Sequence, residues 1–235
     1  MDVAIRVHYT VRRRNETVLE KYPELGIITR NRYGADILNA DSVMFLDWDA
    51  HPARLEFRGW HGLLTLISSL FKNSASEKEK RVSQAKATLE ADIRGKVIEL
   101  NLGLRLYETC NGLRGIVTSS RFDPTEPLTT ELMTYMGADP VYIKLCSIQN
   151  TFRARLTPKF WRTDLNERPH AKPAVTPEEI ADMQRWLERY NAHCQPYATA
   201  RLIDTLGSSG NDELIQQTIQ LHDERCKVLS NLKLA

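Results

Sequence analysis

The sequence predicts an α+β fold built around one main domain, and three observations indicate it. The 235 residues are 42% hydrophobic and 26% charged, which is typical of a globular protein and unlike a disordered one. Segments with alternating apolar residues are interspersed with segments whose apolar residues recur at helical spacing. At roughly 150 residues per domain, the length allows one large domain or one domain with an appendage.

Strands are predicted where apolar residues alternate or run together, and helices where they recur at helical spacing behind a capping residue. The turn residues TCNG at 109–112 indicate a hairpin between two of the strands. The predicted strands are residues 3–11, 43–48, 100–106, 113–119, 141–146 and 152–156. The predicted helices are residues 63–70, 76–93, 123–137 and 176–194, with a last one after Asp212.

The chain divides into three predicted parts. Residues 1–157 form the α+β core, and residues 158–175, which contain three prolines and little periodicity, form a surface connector. Residues 176–235 form a helical appendage. We expect it to pack on the core, because each of its helices has an apolar face to bury.

Between residues 42 and 146 the predicted order is strand, helix, strand, strand, helix, strand. This βαββαβ order is ferredoxin-like, here with an extra strand at the N-terminal side. In this order the first and second strands run parallel and are joined by a right-handed helical crossover. We therefore expect the end of the first strand, the hairpin turn and the start of the fourth strand to meet at one end of the sheet.

That end of the sheet collects acidic residues. Asp47 and Asp49 end the first strand and share a face about 6–7 Å apart, Glu108 precedes the hairpin turn, and Asp139 precedes the fourth strand. Hard carboxylate oxygens suit divalent cations, and metal ions stabilise the attacking and leaving oxygens of phosphoryl transfer. The hypothesis is Mg²⁺ or Mn²⁺ held by Asp47, Asp49 and Glu108, with Asp47, Asp49 and Asp139 as the catalytic acids. Two alternatives remain: exposed acids at a strand end, or an internal ion pair with Arg114 that removes the metal site.

Basic residues interleaved with aromatic residues form a second candidate site. The segment FRARLTPKFWR at 152–162 places arginines and lysine beside phenylalanine and tryptophan. This pattern is typical of segments that contact phosphates and stack on bases, and a solvated face beside a packed tryptophan is the alternative. The candidate phosphate-binding residues are Arg114, Lys144, Arg153, Arg155, Lys159 and Arg162.

The segments LDWDAH (46–51) and TCNGLRG (109–115) resemble the archaeo-eukaryotic primase (primase-polymerase) family of palm-like nucleotidyltransferases. The resemblance implies a palm-type sheet and metal-dependent nucleotidyl transfer, with Asp47 and Asp49 as the acids of an hhDhD strand. Asp139 would be the third acid, with Asp123 as a competitor. The family has a histidine in its glycine-rich segment, where this chain has Arg114. The segments YETCNGLR and FRARLTPKFWR also resemble an uncharacterised bacterial family that supplies no established function.

Several classes of protein are not expected. No apolar run reaches the roughly 18 residues of a membrane span, no secretion signal is evident, and four scattered cysteines form no CxxC pair, so we expect a cytoplasmic protein. A net charge of +2 argues against a uniformly polybasic nucleic-acid binder but allows a local basic groove. The expected partners are nucleotides or nucleic acid. A non-catalytic nucleic-acid-binding module is one alternative, and a protein partner or self-association through the C-terminal helices is another.

Overall fold

A computed structural model of the chain describes residues 16–50, 75–165, 167–169 and 176–235. These ranges contain two four-stranded antiparallel sheets and five α-helices, which confirms the α+β class. The strands are β1 (Thr17–Tyr22), β2 (Gly26–Arg30), β3 (Asp36–Ala40), β4 (Phe45–Asp49), β5 (Leu104–Thr109), β6 (Gly112–Val117), β7 (Phe152–Arg155), β8 (Tyr197–Ala198), β9 (Arg201–Leu206) and β10 (Lys233–Leu234). The helices are α1 (Ala75–Glu99), α2 (Pro127–Tyr135), α3 (Pro140–Gln149), α4 (Pro177–Cys194) and α5 (Glu213–Arg225).

The first sheet has the order β1-β2-β3-β7, and the second has the order β4-β6-β5-β9. In the second sheet β4 and β5 both run antiparallel to β6, so they are parallel to each other. This is the arrangement expected for the first three strands of the βαββαβ order. The predicted hairpin also forms, with β5 and β6 joined at Cys110 and Asn111.

The fourth strand of the predicted order is wrong, because residues 141–146 lie in helix α3. Asp139 is the N-cap of this helix, and its Oδ1 accepts hydrogen bonds from the backbone N–H groups of Val141 and Tyr142. Pro140 occupies the first turn, where a missing N–H costs nothing. These start signals outweigh the apolar alternation of the segment. The complete ferredoxin-like order is therefore not confirmed.

The C-terminal segment contributes more than helices. Both predicted helices are present, and α4 begins with a capping box between Thr176 and Glu179. Strand β9, however, pairs with β5 and forms an edge of the second sheet. Strands β1 to β3 were not predicted from the sequence either. The predicted strand at 3–11 and helix at 63–70 lie outside the described residues.

The core lies between the sheets and the helices that cover them. Strand β6 lies inside the second sheet and is buried along its whole length. The nearly continuous apolar residues at 43–48 predict a central strand, but β4 lies at the edge of this sheet. A smaller cluster, built from Phe160, Trp186 and Tyr190, joins α4 to the segment after β7. Among the helices in the described ranges, none combines the length and apolar character that crossing a membrane requires.

Candidate functional site

Asp47 and Asp49 lie on one face of the second sheet, at its β4 edge. In the β4–β6 register, Asp47 is opposite Arg114 and Asp49 is opposite Gly112. The Asp47 side chain is 35% exposed, and Asp49 is exposed. Gly112 permits this register, because a Cβ at that position would lie 1.9 Å from the backbone oxygen of Trp48. The acidic pair predicted from the sequence therefore exists as a pair.

Arg114 is a buried anchor beside this pair. Its side chain is 6% exposed, and its Nη1 donates a hydrogen bond to the backbone oxygen of Arg155 at 2.9 Å. Its Nε lies 3.7 Å from Oδ1 of Asp47, an ion-pair distance that is too long for a good hydrogen bond. Arg114 therefore ties β6 to β7 and makes a loose ion pair with Asp47, so the internal-pair alternative is partly realised.

His222 supports Arg114 from helix α5. Its ring is completely buried, with Nε2 3.3 Å from Arg114 Nη1 and Nδ1 2.9 Å from Asp223 Oδ1. Burial, aided by the charge of Arg114, lowers the pKa of His222 from 6.5 to about 4. We therefore assign a neutral ring whose Nδ1–H donates to Asp223 and whose Nε2 accepts from Arg114.

His222 was not predicted as a residue of the site. The residue lies 108 positions after Arg114, and its helical stripe indicates only packing. No local spacing relates the two residues. Their contact arises because α5 packs its buried face against the sheet that carries Arg114.

Asp139 is brought to Asp47 by a backbone contact. Its N–H donates to the backbone oxygen of Asp47 at 2.9 Å, and its side chain is largely buried. Burial raises the pKa of Asp47, and the nearby Asp49 and Asp139 act in the same direction, while Arg114 and Arg155 oppose them. Three of the predicted acids therefore interact, although Asp139 uses one oxygen to cap helix α3.

Basic residues face these acids from the segment that begins at β7. Burial, together with repulsion from Arg114 and Arg162, lowers the pKa of Arg155 to about 10. Attraction to Asp47 acts in the opposite direction. Burial likewise lowers the pKa of Lys159 to about 8, and Arg155 and Arg162 add to the effect. Within the described ranges, the side chains of Arg155 and Lys159 form no ion pair or hydrogen bond with another residue. The positive charges of Arg155 and Lys159 are therefore close together and have no ion-pair partner within the described ranges. We call Arg114, Arg155, Lys159 and Arg162 the cationic cluster.

Three predicted site residues lie elsewhere. Glu108 is on the opposite face of the second sheet from Asp47, where it pairs with Lys86 of α1 at 2.9 Å. Lys144 is exposed on α3, because its segment is a helix and not a strand. Arg153 is held by Glu16, whose two carboxylate oxygens each accept from its Nη2 at 2.9 Å. The structure does not bring Glu108 or Lys144 to the acidic pair, and it engages Arg153 in an internal ion pair.

The acidic residues of the site suit a metal ion that needs few protein ligands better than one held by protein side chains alone. Among the described residues, no group of three or more histidine, cysteine or acidic side chains could hold a metal ion by itself. Mg²⁺ often uses only one or two carboxylates and completes its shell with water and substrate phosphates. Asp47 and Asp49, on one face of β4, offer two such carboxylates, and the cationic cluster lies beside them.

Comparison with known proteins gives no relative for this chain. No protein-family model, curated protein or solved structure matches it.

Proposed function

We propose that the protein binds phosphate groups of a nucleotide or nucleic acid between the acidic pair and the cationic cluster, with Mg²⁺ or Mn²⁺ held by Asp47 and Asp49. The reaction would be nucleotidyl transfer or a related phosphoryl transfer. The observation that carries the proposal is the position of Arg155 and Lys159, two partly buried cations beside other cations. Within the described ranges they have no carboxylate at ion-pair distance.

An unpaired, partly buried cation is unfavourable, and like charges nearby increase that cost. A bound phosphate would relieve both effects, because it supplies charge-assisted acceptors for the guanidinium and the ammonium group. We therefore assign the non-bridging phosphate oxygens to Arg155 and Lys159. Arg114, already bonded to the backbone of β7 and to His222, would hold Asp47 in place.

The carboxylates have a different task. A divalent ion bound there would neutralise the charge that develops on the phosphate oxygens. Asp49 is exposed and accessible to the ion, while Asp47 is partly neutralised by Arg114 at 3.7 Å. The resemblance of LDWDAH and TCNGLRG to primase-polymerases supports the same assignment of the two acids. Arg114 stands where that family has histidine, so the resemblance supplies no titratable imidazole at this position.

A second candidate function is phosphate binding without catalysis. The Arg114–Asp47 ion pair favours it, because an aspartate already paired with arginine is a weaker metal ligand. Phosphate-dominated binding of this kind would weaken steeply with salt and would not respond to chelators. In metal-dependent binding, by contrast, a chelator removes most of the affinity.

The test is calorimetric titration of a nucleoside triphosphate with and without Mn²⁺. Wild-type protein should bind in a metal-dependent manner, Asp49→Asn should lose the metal dependence, and Arg155→Met should lose binding with or without metal. Asp182→Asn is a matched control, since Asp182 is exposed on α4 and pairs with Arg185. Equal binding by all four proteins would refute the site, and metal-independent binding in the wild type would favour the non-catalytic function.

A further inference from the structure

An aromatic pocket lies directly beside the cationic cluster. It has a volume of about 600 Å³, within the range of pockets that hold small-molecule ligands. Its described lining residues are Arg32, Tyr33, Phe160, Trp161, Leu165, Arg168 and Pro169. The pocket therefore combines aromatic rings with basic side chains, and its described lining contains no acidic residue.

The two rings that reach solvent are held in a defined geometry. Trp161 is 52% exposed and Tyr33 is 37% exposed, and their centroids lie 5.7 Å apart in an edge-to-face arrangement. Phe160 packs edge-on against Trp161 from the buried side, with centroids 4.8 Å apart. Large exposed aromatic surface is costly in water unless a ligand covers it. Trp161 and Tyr33 are therefore partly exposed rings whose positions are already fixed by neighbouring rings, so that binding a ligand would order them at little further cost.

The turn that carries Tyr33 is equally well fixed. Oδ1 of Asn31 accepts hydrogen bonds from the backbone N–H groups of Tyr33 and Ala35. Gly34, with φ at +80°, packs so closely on Trp186 that a Cβ would lie 2.3 Å from the indole. The turn that carries Tyr33 is thus packed against the buried Trp186 of α4.

Lys159 connects the pocket to the proposed phosphate site. Its Nζ lies 5.4 Å from the centroid of the Trp161 ring, and its charge interacts with Arg155 and Asp49. Arg32, which lines the pocket, lies over the Tyr33 ring at 4.6 Å. A flat aromatic group in the pocket would therefore lie near two cations, one of them shared with the phosphate site.

We infer that this pocket, which we call the base pocket, binds a nucleobase whose phosphate is held by Lys159 and the cationic cluster. The inference rests on the proposed function and specifies its ligand: a phosphate ester that carries an aromatic base. Bases stack on aromatic side chains with little dependence on sequence, because every base has a π-face. Either a free nucleotide or a single-stranded nucleic acid offers this chemistry.

The experiment compares three labelled ligands by fluorescence anisotropy: a single-stranded oligonucleotide, an abasic oligonucleotide of equal length, and a nucleoside monophosphate. Stacking of one base contributes on the order of ten-fold or more in affinity. We expect the intact oligonucleotide to bind at least about ten-fold more tightly than the abasic one. Trp161→Ala and, as a second variant, Tyr33→Ala should abolish this difference. Tyr135→Ala is the control, because Tyr135 is an exposed aromatic residue that contacts Lys96 instead of the pocket.

The outcomes separate the two proposals. Equal affinity for intact and abasic ligands, unaffected by Trp161→Ala, would overturn the base pocket while the phosphate site stands. Absence of binding by all three ligands with Mn²⁺ present would overturn both. If the monophosphate also depends on Trp161, the base pocket accepts free nucleotides, and if only the oligonucleotide does, it accepts single strands. Both of these results support the inference.

Discussion

The buried histidine behind Arg114 makes the stability of the protein depend on pH in a defined direction. His222 is fully buried and neutral, and its pKa falls from 6.5 to about 4 because burial disfavours the charged ring. In the unfolded chain the same side chain titrates at its ordinary value. Between pH 6.5 and 4 the unfolded state therefore binds more protons than the folded state, and acid favours unfolding.

The magnitude follows from the two pKa values. One pKa unit corresponds to about 1.4 kcal/mol, so His222 contributes about 3 kcal/mol of stability at neutral pH that is absent below pH 4. By pH 5, the proton taken up by the unfolded chain accounts for about 2 kcal/mol of this loss. The contribution is fully present above pH 6.5 and is lost as the pH falls.

Urea unfolding of the wild type and of His222→Gln at pH 8, 6.5 and 5 measures this contribution. We expect the variant to be less stable than the wild type at pH 8, because it loses the hydrogen bond to Asp223. The difference in unfolding free energy between the two proteins should shrink by about 2 kcal/mol at pH 5. Ile219→Val, a buried change on the same helix, should cost about 1 kcal/mol at every pH. If the difference in unfolding free energy between the wild type and His222→Gln stays constant between pH 8 and 5, the buried ring is not neutral in the folded protein.

Three further results are expected. Gly112→Ala should lower the melting temperature strongly, because its Cβ would meet the backbone oxygen of Trp48 at 1.9 Å, whereas Gly95→Ala, with nothing within 4 Å, should raise it slightly; thermal unfolding followed by circular dichroism measures both. Arg153→Met should destabilise the fold by about 3 kcal/mol in urea unfolding, because it leaves the buried carboxylate of Glu16 without its arginine partner. Phosphate binding should stay intact, and a loss of binding without a loss of stability would contradict this. Phosphate affinity should fall several-fold between pH 7 and 9 as Lys159, with a pKa of about 8, loses its charge, and Lys159→Arg should remove that dependence in a calorimetric titration.

The parts of the fold that follow local rules could be predicted from the sequence. The alternating residues around TCNG predict the β5–β6 hairpin, and the Thr176 capping box predicts the start of α4. Residues 141–146 show where such rules conflict. Their alternation indicates a strand, but Asp139 and Pro140 supply a helix start, and tertiary packing then buries Ile143 and Cys146, three positions apart on one helical face.

The candidate site divides in the same way. Asp47 and Asp49 share a face because strand geometry requires it, and that could be deduced from spacing alone. Glu108 lies on the face of the sheet opposite to Asp47, because the register of β5 against β6 determines on which face each side chain lies. That register follows from the turn between the two strands. The contact of Arg114 with His222 joins elements that are distant in the chain, and no periodic pattern encodes it.

The most direct test of the phosphate site is a crystal structure of the protein with Mn²⁺ and a non-hydrolysable nucleoside triphosphate. We expect an anomalous difference peak between the carboxylates of Asp47 and Asp49 and triphosphate oxygens at Arg155 and Lys159. An unchanged Arg114–Asp47 pair, with no manganese at the acidic pair and the triphosphate bound away from the cationic cluster, would contradict the proposed function.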